Sequence, residues 1–176
     1  VAWSFAATYP EMTRRLVVMN APHPAAFEKA LRTNRRQLRR SWYIFYFQLP
    51  KLPEWGIRVF AGRFVKNAFQ GTAVTKEVFT PEELQVYERA LTLPGVAKAA
   101  VNYYRAAFRR FLLGKVPAMP KIRIPTLLVW GEQDAALGKE LTDGMQKYFS
   151  DRFEIKYVPG SGHWVQQEQR SIVNDH

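Results

Sequence analysis

Three short, largely apolar runs limit the folds that this chain can adopt. They lie at 15–19, 124–130 and 153–158. Runs of this length and composition are typical of strands buried on both faces of a parallel sheet. A helical pattern over 1–9 precedes the first run, and a helix over 138–149 is predicted between the second and the third. Strand, helix and strand in close succession predict parallel βαβ connections and therefore an α/β fold.

The segment between the first and second strands has a different character. Helical patterns rich in arginine, phenylalanine, tyrosine and tryptophan alternate there with prolines at positions 50, 53, 81 and 94. Open α/β sheets accommodate insertions in the loops at the carboxyl ends of their strands, where they also bind ligands. We therefore predict a helical lid over 22–120, inserted between a core segment at 1–21 and a second core segment at 121–176.

The composition removes several classes of function. Cysteine is absent, which excludes disulfide and thiolate chemistry, and the three histidines are scattered, so neither a metal nor another cofactor is expected. No apolar run reaches the roughly 18 residues that a membrane span requires. The lack of cysteine is compatible with the cytosol.

The net charge of +11 keeps an acidic partner or a membrane surface in consideration. The densest basic segment, 31–40, spaces Arg32, Arg36 and Arg40 four residues apart, which predicts one exposed helix face. Aromatic residues are not interleaved with these arginines, so nucleic-acid binding is not expected. A non-catalytic interaction module that uses this basic helix is the alternative to an enzyme.

Two motifs follow predicted strands at the edge where such a sheet binds ligands. Asp134 ends Gly-Glu-Gln-Asp after the second strand, and His163 lies in Pro-Gly-Ser-Gly-His-Trp after the third. An acid followed by a histidine is the second half of the nucleophile, acid, histidine order of α/β-hydrolases. The two together predict a catalytic pair. His23, between two prolines, is a rival candidate without an acid nearby in sequence.

The segments around this pair resemble those of the epoxide hydrolases and of their haloalkane and haloacetate dehalogenase relatives. The resemblance rests on Trp-Gly-Glu-Gln-Asp at 130–134 and Gly-His-Trp-Val-Gln-Gln at 162–167. The sequence at 1–10 resembles the helix after the family's nucleophile, and 15–24 resembles the next strand and the entry to the lid. The resemblance implies a partial α/β-hydrolase fold, with the last three parallel strands, their flanking helices and the lid.

Two lid tyrosines hydrogen-bond the epoxide oxygen in the epoxide hydrolases. The resemblance places the first at Tyr43, within Trp-Tyr-Ile-Phe-Tyr-Phe-Gln-Leu-Pro, and the second at Tyr104, within Asn-Tyr-Tyr-Arg. Tyr46 and Tyr103 are the neighbours most easily confused with them. A phenol suits this task because it is a neutral donor that can stabilise or protonate a developing alkoxide. The implied substrates are a small-molecule epoxide and water.

The resemblance also implies a nucleophile, which in the family is the aspartate of a His-Asp-Trp-Gly-Gly motif before the helix that 1–10 resembles. That motif does not occur in these 176 residues. A dehalogenase or a serine esterase of the same fold shares the acid and histidine motifs and is the alternative enzyme. Apolar patterns are interrupted at both ends, so we expect a C-terminal fragment that is inactive alone, with an unpaired sheet edge and an exposed apolar face.

Overall fold

The described part of the chain forms one three-stranded parallel sheet with helices around it. The structure is a computed structural model that describes residues 1–114 and 119–175. The strands lie in the order β1 (Leu16–Met19), β2 (Thr126–Gly131) and β3 (Phe153–Val158). The α/β class and the three predicted strands are confirmed. Because neighbouring strands run parallel, the loops after all three leave the sheet at the same edge.

The main core lies on one face of the sheet. Leu128, at the centre of β2, is fully buried there, and helix α1 (Ala2–Thr8) packs Trp3 and Ala6 into the same cluster. Successive strand residues point to opposite faces, so this cluster takes every second residue of a strand. Its other buried strand residues are Leu16, Val18 and Trp130.

The opposite face is covered only in part. Helices α9 (Val165–Glu168) and α10 (Arg170–Asn174) pack Val165, Ile172 and Val173 against Val129 and Val158. Val17, on the same face of β1, is 51% exposed, and among the described residues β1 pairs with β2 alone. The expected unpaired edge is therefore present at β1, and on this apolar face the expected exposure is found at Val17.

Seven helices lie between β1 and β2 among the described residues. Proline begins α2 (Pro24–Thr33) and α7 (Pro81–Thr92), and the side chains of Thr80 and Glu83 form a reciprocal cap at the start of α7. No described helix has both the length and the apolar character needed to cross a bilayer. The lid limits of 22–120 stay a prediction, and 115–118 lie outside the described residues. The helices are α2 (Pro24–Thr33), α3 (Arg35–Arg40), α4 (Trp42–Tyr46), α5 (Leu52–Val59), α6 (Ala61–Phe69), α7 (Pro81–Thr92) and α8 (Val96–Leu112).

Two helix predictions are wrong. In place of one helix over 138–149, the chain forms two 3₁₀ turns, Lys139–Thr142 and Met145–Tyr148, separated by Gly144 at φ 65°. A residue with positive φ cannot continue a right-handed helix. The basic segment 31–40 is likewise split, because the side chain of Asn34 caps a new helix by accepting from the backbone N of Arg36 and Gln37.

The burial difference along the sheet makes a testable prediction about stability. Replacing Leu128 with alanine leaves a cavity at the centre of the core and is expected to lower the free energy of unfolding by about 2–5 kcal/mol. Val17→Ala removes two methyl groups from an exposed side chain on the edge strand and is the matched control. It is expected to lower the free energy of unfolding by less than about 1 kcal/mol. Urea unfolding followed by circular dichroism measures both, and equal losses would contradict this packing.

Candidate active site

Asp134 lies just beyond the carboxyl end of β2 with its side chain fully buried. Its Oδ1 accepts from the backbone N of Ala136 and Leu137, at 2.8 and 2.9 Å. Its Oδ2 accepts from Nδ2 of Asn20 at 2.6 Å and lies 2.8 Å from Nδ1 of His163. Burial of a carboxylate is costly unless hydrogen bonds compensate it, and these four contacts do so.

His163 follows β3, on the neighbouring loop. Its backbone N donates to the carbonyl oxygen of Thr72 at 3.1 Å, and its ring packs edge-to-face against Trp164. Because Asp134 is acceptor-only when ionised, the contact assigns the ring proton to Nδ1. Nε2 makes no hydrogen bond to the described residues, and the side chain is 26% exposed. The second ring nitrogen is therefore available to accept a proton.

The acid and histidine loops contact each other directly. The backbone N of Gln133 donates to the carbonyl oxygen of Ser161 at 3.0 Å. Gly131 faces the histidine loop so closely that a Cβ there would lie 2.2 Å from the carbonyl oxygen of Gly162. A larger residue would push the loops apart and separate Asp134 from His163.

Asn20, which was not predicted from the sequence, completes this polar cluster. Its Nδ2 donates to Asp134 and to the carbonyl oxygen of Gly162, and its Oδ1 accepts from the backbone N of Gly131 at 2.9 Å. The residue is buried and has φ 42°, a conformation that asparagine adopts more readily than most residues. The available signal was its position, since Asn20 follows β1 directly as the acid and histidine motifs follow β2 and β3.

The structure also brings Tyr43 and Tyr104 together. Tyr43 on α4 and Tyr104 on α8 pack edge-to-face with ring centroids 5.6 Å apart, and both are half-buried. Burial, followed by the proximity of Tyr104 and Asp134, raises the pKa of Tyr43 to about 12. Burial also raises the pKa of Tyr104. Both phenols therefore keep their protons at neutral pH. Tyr103, in contrast, is 63% exposed.

Arg105 fixes the relative position of the two tyrosine-bearing helices. Its guanidinium donates to the carbonyl oxygens of Phe47 and Leu49, at 2.9 and 2.6 Å, in the turn that follows α4. It also forms an ion pair with Glu54 and holds the pKa of that carboxyl below its usual value. One side chain on α8 thus anchors the end of α4.

Gln37 connects the helical segment to the acid loop. This fully buried side chain on α3 donates to the carbonyl oxygen of Ala136 and accepts from the backbone N of Gly138, both at 3.0 Å. It also donates to the hydroxyl of Ser41 at 3.1 Å. Local sequence patterns do not reveal the link to the acid loop, because Ala136 and Gly138 lie about a hundred positions away from Gln37.

Comparison with known proteins places this arrangement in a family. The sequence model of the alpha/beta hydrolase family matches residues 1–175. The chain belongs to the alpha/beta hydrolase family.

Relatives of this alpha/beta hydrolase include proteins named epoxide hydrolase. Epoxide hydrolase 4 of Mus musculus is 33% identical over 178 residues, which cover 99% of this chain and 48% of that protein. Epoxide hydrolase 1 of Caenorhabditis elegans is 33% identical over 181 residues, covering 100% of this chain and 44% of that protein. The chain thus spans about half the length of the curated relatives it matches.

A solved structure agrees with both the fold and the resemblance. The Bacillus megaterium epoxide hydrolase in complex with an inhibitor superposes with a TM-score of 0.74 at 26% identity, covering 98% of this chain and 62% of that one. The resemblance to epoxide hydrolases predicted from the motifs is confirmed. The catalytic roles of Asp134, His163, Tyr43 and Tyr104 stay predictions.

His23 of this alpha/beta hydrolase lies apart from the acid contact. Its ring is buried, stacks on Tyr148 with centroids 4.1 Å apart, and accepts at Nδ1 from the backbone N of Ala25 as the cap of α2. This environment indicates a structural role. Within the described ranges, no group of three or more histidine or acidic side chains is placed to hold a metal ion.

Burial lowers the pKa of His23 from its ordinary 6.5 to about 4, which predicts a pH-dependent stability. Between these values the unfolded chain takes up a proton that the folded chain does not. The free energy of unfolding should therefore fall by about 2–3 kcal/mol from pH 6.5 to pH 4 on account of this residue. His23→Asn keeps a capping acceptor but cannot titrate. Urea unfolding across this range should show a shallower decline in the variant, and identical slopes would contradict the assignment.

Proposed function

We propose that the protein containing this chain hydrolyses a small-molecule epoxide to a vicinal diol. The observation that carries the proposal is the combination of a hydrogen-bonded Asp134 and His163 with a contacting pair of half-buried tyrosines, Tyr43 and Tyr104. The names of the curated relatives and the similarity to the Bacillus megaterium enzyme support it. Activity, substrate and partners of the whole protein are all part of this proposal.

The tyrosines serve the ring-opening step. A carboxylate nucleophile bonds an epoxide carbon, the ring C–O bond breaks, and the oxygen takes a proton from a tyrosine hydroxyl. The raised pKa of Tyr43 keeps this proton in place until the far more basic alkoxide develops. A halide leaving group needs no proton, so a neutral phenol pair favours an epoxide over a haloalkane.

The acid and histidine serve the hydrolysis step. Water gives a proton to Nε2 of His163 while its oxygen bonds the carbonyl carbon of the alkyl-enzyme ester, and Asp134 stabilises the imidazolium. The acyl C–O bond then breaks, and the diol oxygen takes the proton from the imidazolium. The remaining acid proton returns to the tyrosinate, which restores the carboxylate and the phenol.

The family pattern assigns the nucleophile to a His-Asp-Trp-Gly-Gly motif, which these 176 residues do not contain. The proposal therefore gives this chain the proton donors and the water-activating pair. We expect the 176-residue chain by itself to form no diol.

The test uses the protein expressed from the reading frame that contains these residues, incubated with styrene oxide. In His163→Gln, ester formation should proceed and hydrolysis should stop, so intact-mass spectrometry should find an adduct heavier by one epoxide. Tyr43→Phe and Tyr104→Phe should each slow diol formation about 10²-fold.

Tyr103→Phe is the matched control, because it removes a hydroxyl from the exposed neighbour of Tyr104 and should leave the rate unchanged. An unmodified His163→Gln protein, or equal losses in Tyr103→Phe and Tyr104→Phe, would contradict the proposal. Hydrolysis of an ester with no action on the epoxide would favour the serine esterase. Binding to anionic vesicles with neither activity would favour the interaction module.

A further inference from the structure

Glu168 is a buried carboxylate for which the proposed reaction has no use. It lies on α9 and is 8% exposed. Its Oε2 accepts from the backbone N of Val74 and Thr75, at 2.7 and 3.0 Å, in the loop that follows α6. Its Oε1 accepts from the backbone N of Gly162 and Trp164, at 2.9 and 3.3 Å. One side chain thus joins two loops that are distant in sequence.

The chemistry of the group explains why the two loops are held together. Among the described residues, the salt bridges do not include Glu168, so backbone donors alone compensate its burial. An ionised carboxylate offers only acceptors, and here all its partners are backbone N–H groups. Separation of the loops would leave the carboxylate or the N–H groups without partners, which is costly.

The residues held by Oε1 stand on either side of His163. The backbone N of His163 donates to Thr72 in the same partner loop, and Nε1 of Trp164 donates to the hydroxyl of Thr72 at 2.8 Å. The indole also stacks on Phe69 at 4.5 Å between ring centroids. A Cβ on Gly162 would lie 2.6 Å from the carbonyl oxygen of Thr72. The backbone of His163 is therefore fixed to the segment 69–75.

We propose that Glu168 is a positioning residue that keeps the imidazole of His163 on Asp134 by tying the histidine loop to segment 69–75. Glu168 does not contact the reacting atoms. It acts by fixing the backbone on both sides of the histidine, so that Nδ1 stays within hydrogen-bond distance of the carboxylate. The kinetic part of this inference rests on the proposed function, whereas the structural part does not.

Glu168→Gln tests the proposal without changing the size of the side chain. The amide NH₂ of the glutamine would face the backbone N–H groups either of Val74 and Thr75 or of Gly162 and Trp164. Because the NH₂ group cannot accept a hydrogen bond, those two N–H groups would lose their acceptor. Hydrogen exchange measured by NMR should become about tenfold faster at both pairs of backbone amides together, while Leu128 keeps its protection. Glu82→Gln makes the same chemical change at an exposed position and should alter neither region.

In the protein expressed from the whole reading frame, Glu168→Gln should slow hydrolysis of the alkyl-enzyme ester about tenfold. The rate of ester formation should stay within about twofold of the original rate. Ester would then accumulate, so that kcat and KM fall together, a pattern that general loss of stability does not produce. Trp164→Phe removes the indole donor but keeps the stacking ring, and it provides a milder second variant if Glu168→Gln does not fold.

Unchanged exchange at the Gly162 and Val74 amides, or loss of protection throughout the sheet, would overturn the proposal. Equal slowing of both chemical steps would overturn it as well. Hydrogen exchange is measured without an epoxide, so the two proposals can fail separately. If the exchange pattern is as expected but the unsubstituted protein from the whole reading frame forms no diol, the proposed function is rejected while the positioning role of Glu168 stands.

Discussion

The buried carboxylate of Asp134 is the group on which the rest of the site depends. A carboxylate in this position needs donors in several directions, and they come from three separate parts of the chain: Asn20 after β1, the loop of Asp134 itself, and His163 after β3. Parallel strands make this convergence possible because their carboxyl ends share one edge of the sheet. The cost of leaving the charge unsatisfied keeps the three loops together.

Burial acts differently on the tyrosines than on Asp134. Tyr43 and Tyr104 have few groups to stabilise a phenolate, so burial raises the pKa of each and keeps both protonated. Asp134 is surrounded by donors, whereas the phenols pack against each other and against Phe47. Hydrogen bonding and aromatic packing thus give the same chain a proton acceptor, Nε2 of His163, and two proton donors, the hydroxyls of Tyr43 and Tyr104.

Much of the sheet and the acid and histidine pair could be predicted because their signals are local. Continuous apolar runs indicated the strands, and a polar motif after each of two strands indicated Asp134 and His163. The helix over 138–149 failed because Gly144 adopts positive φ, which the apolar spacing around it does not reveal. Gln37 and Glu168 were missed because the contacts that join each of them to another segment are made with backbone groups far away in sequence. Spacing alone did not separate Tyr43 from Tyr46, and the family resemblance was needed to choose between them.

The orientation of His163 is the central claim, and the protonation of its ring nitrogens tests it most directly. Nitrogen-15 NMR at about pH 8 distinguishes a neutral ring that carries its proton on Nδ1 from one that carries it on Nε2. The structure predicts the proton of His163 on Nδ1, donated to Asp134, and that of His23 on Nε2, because Nδ1 of His23 accepts from Ala25. A His163 ring protonated on Nε2 would contradict the account, since that nitrogen could not then take a proton from water.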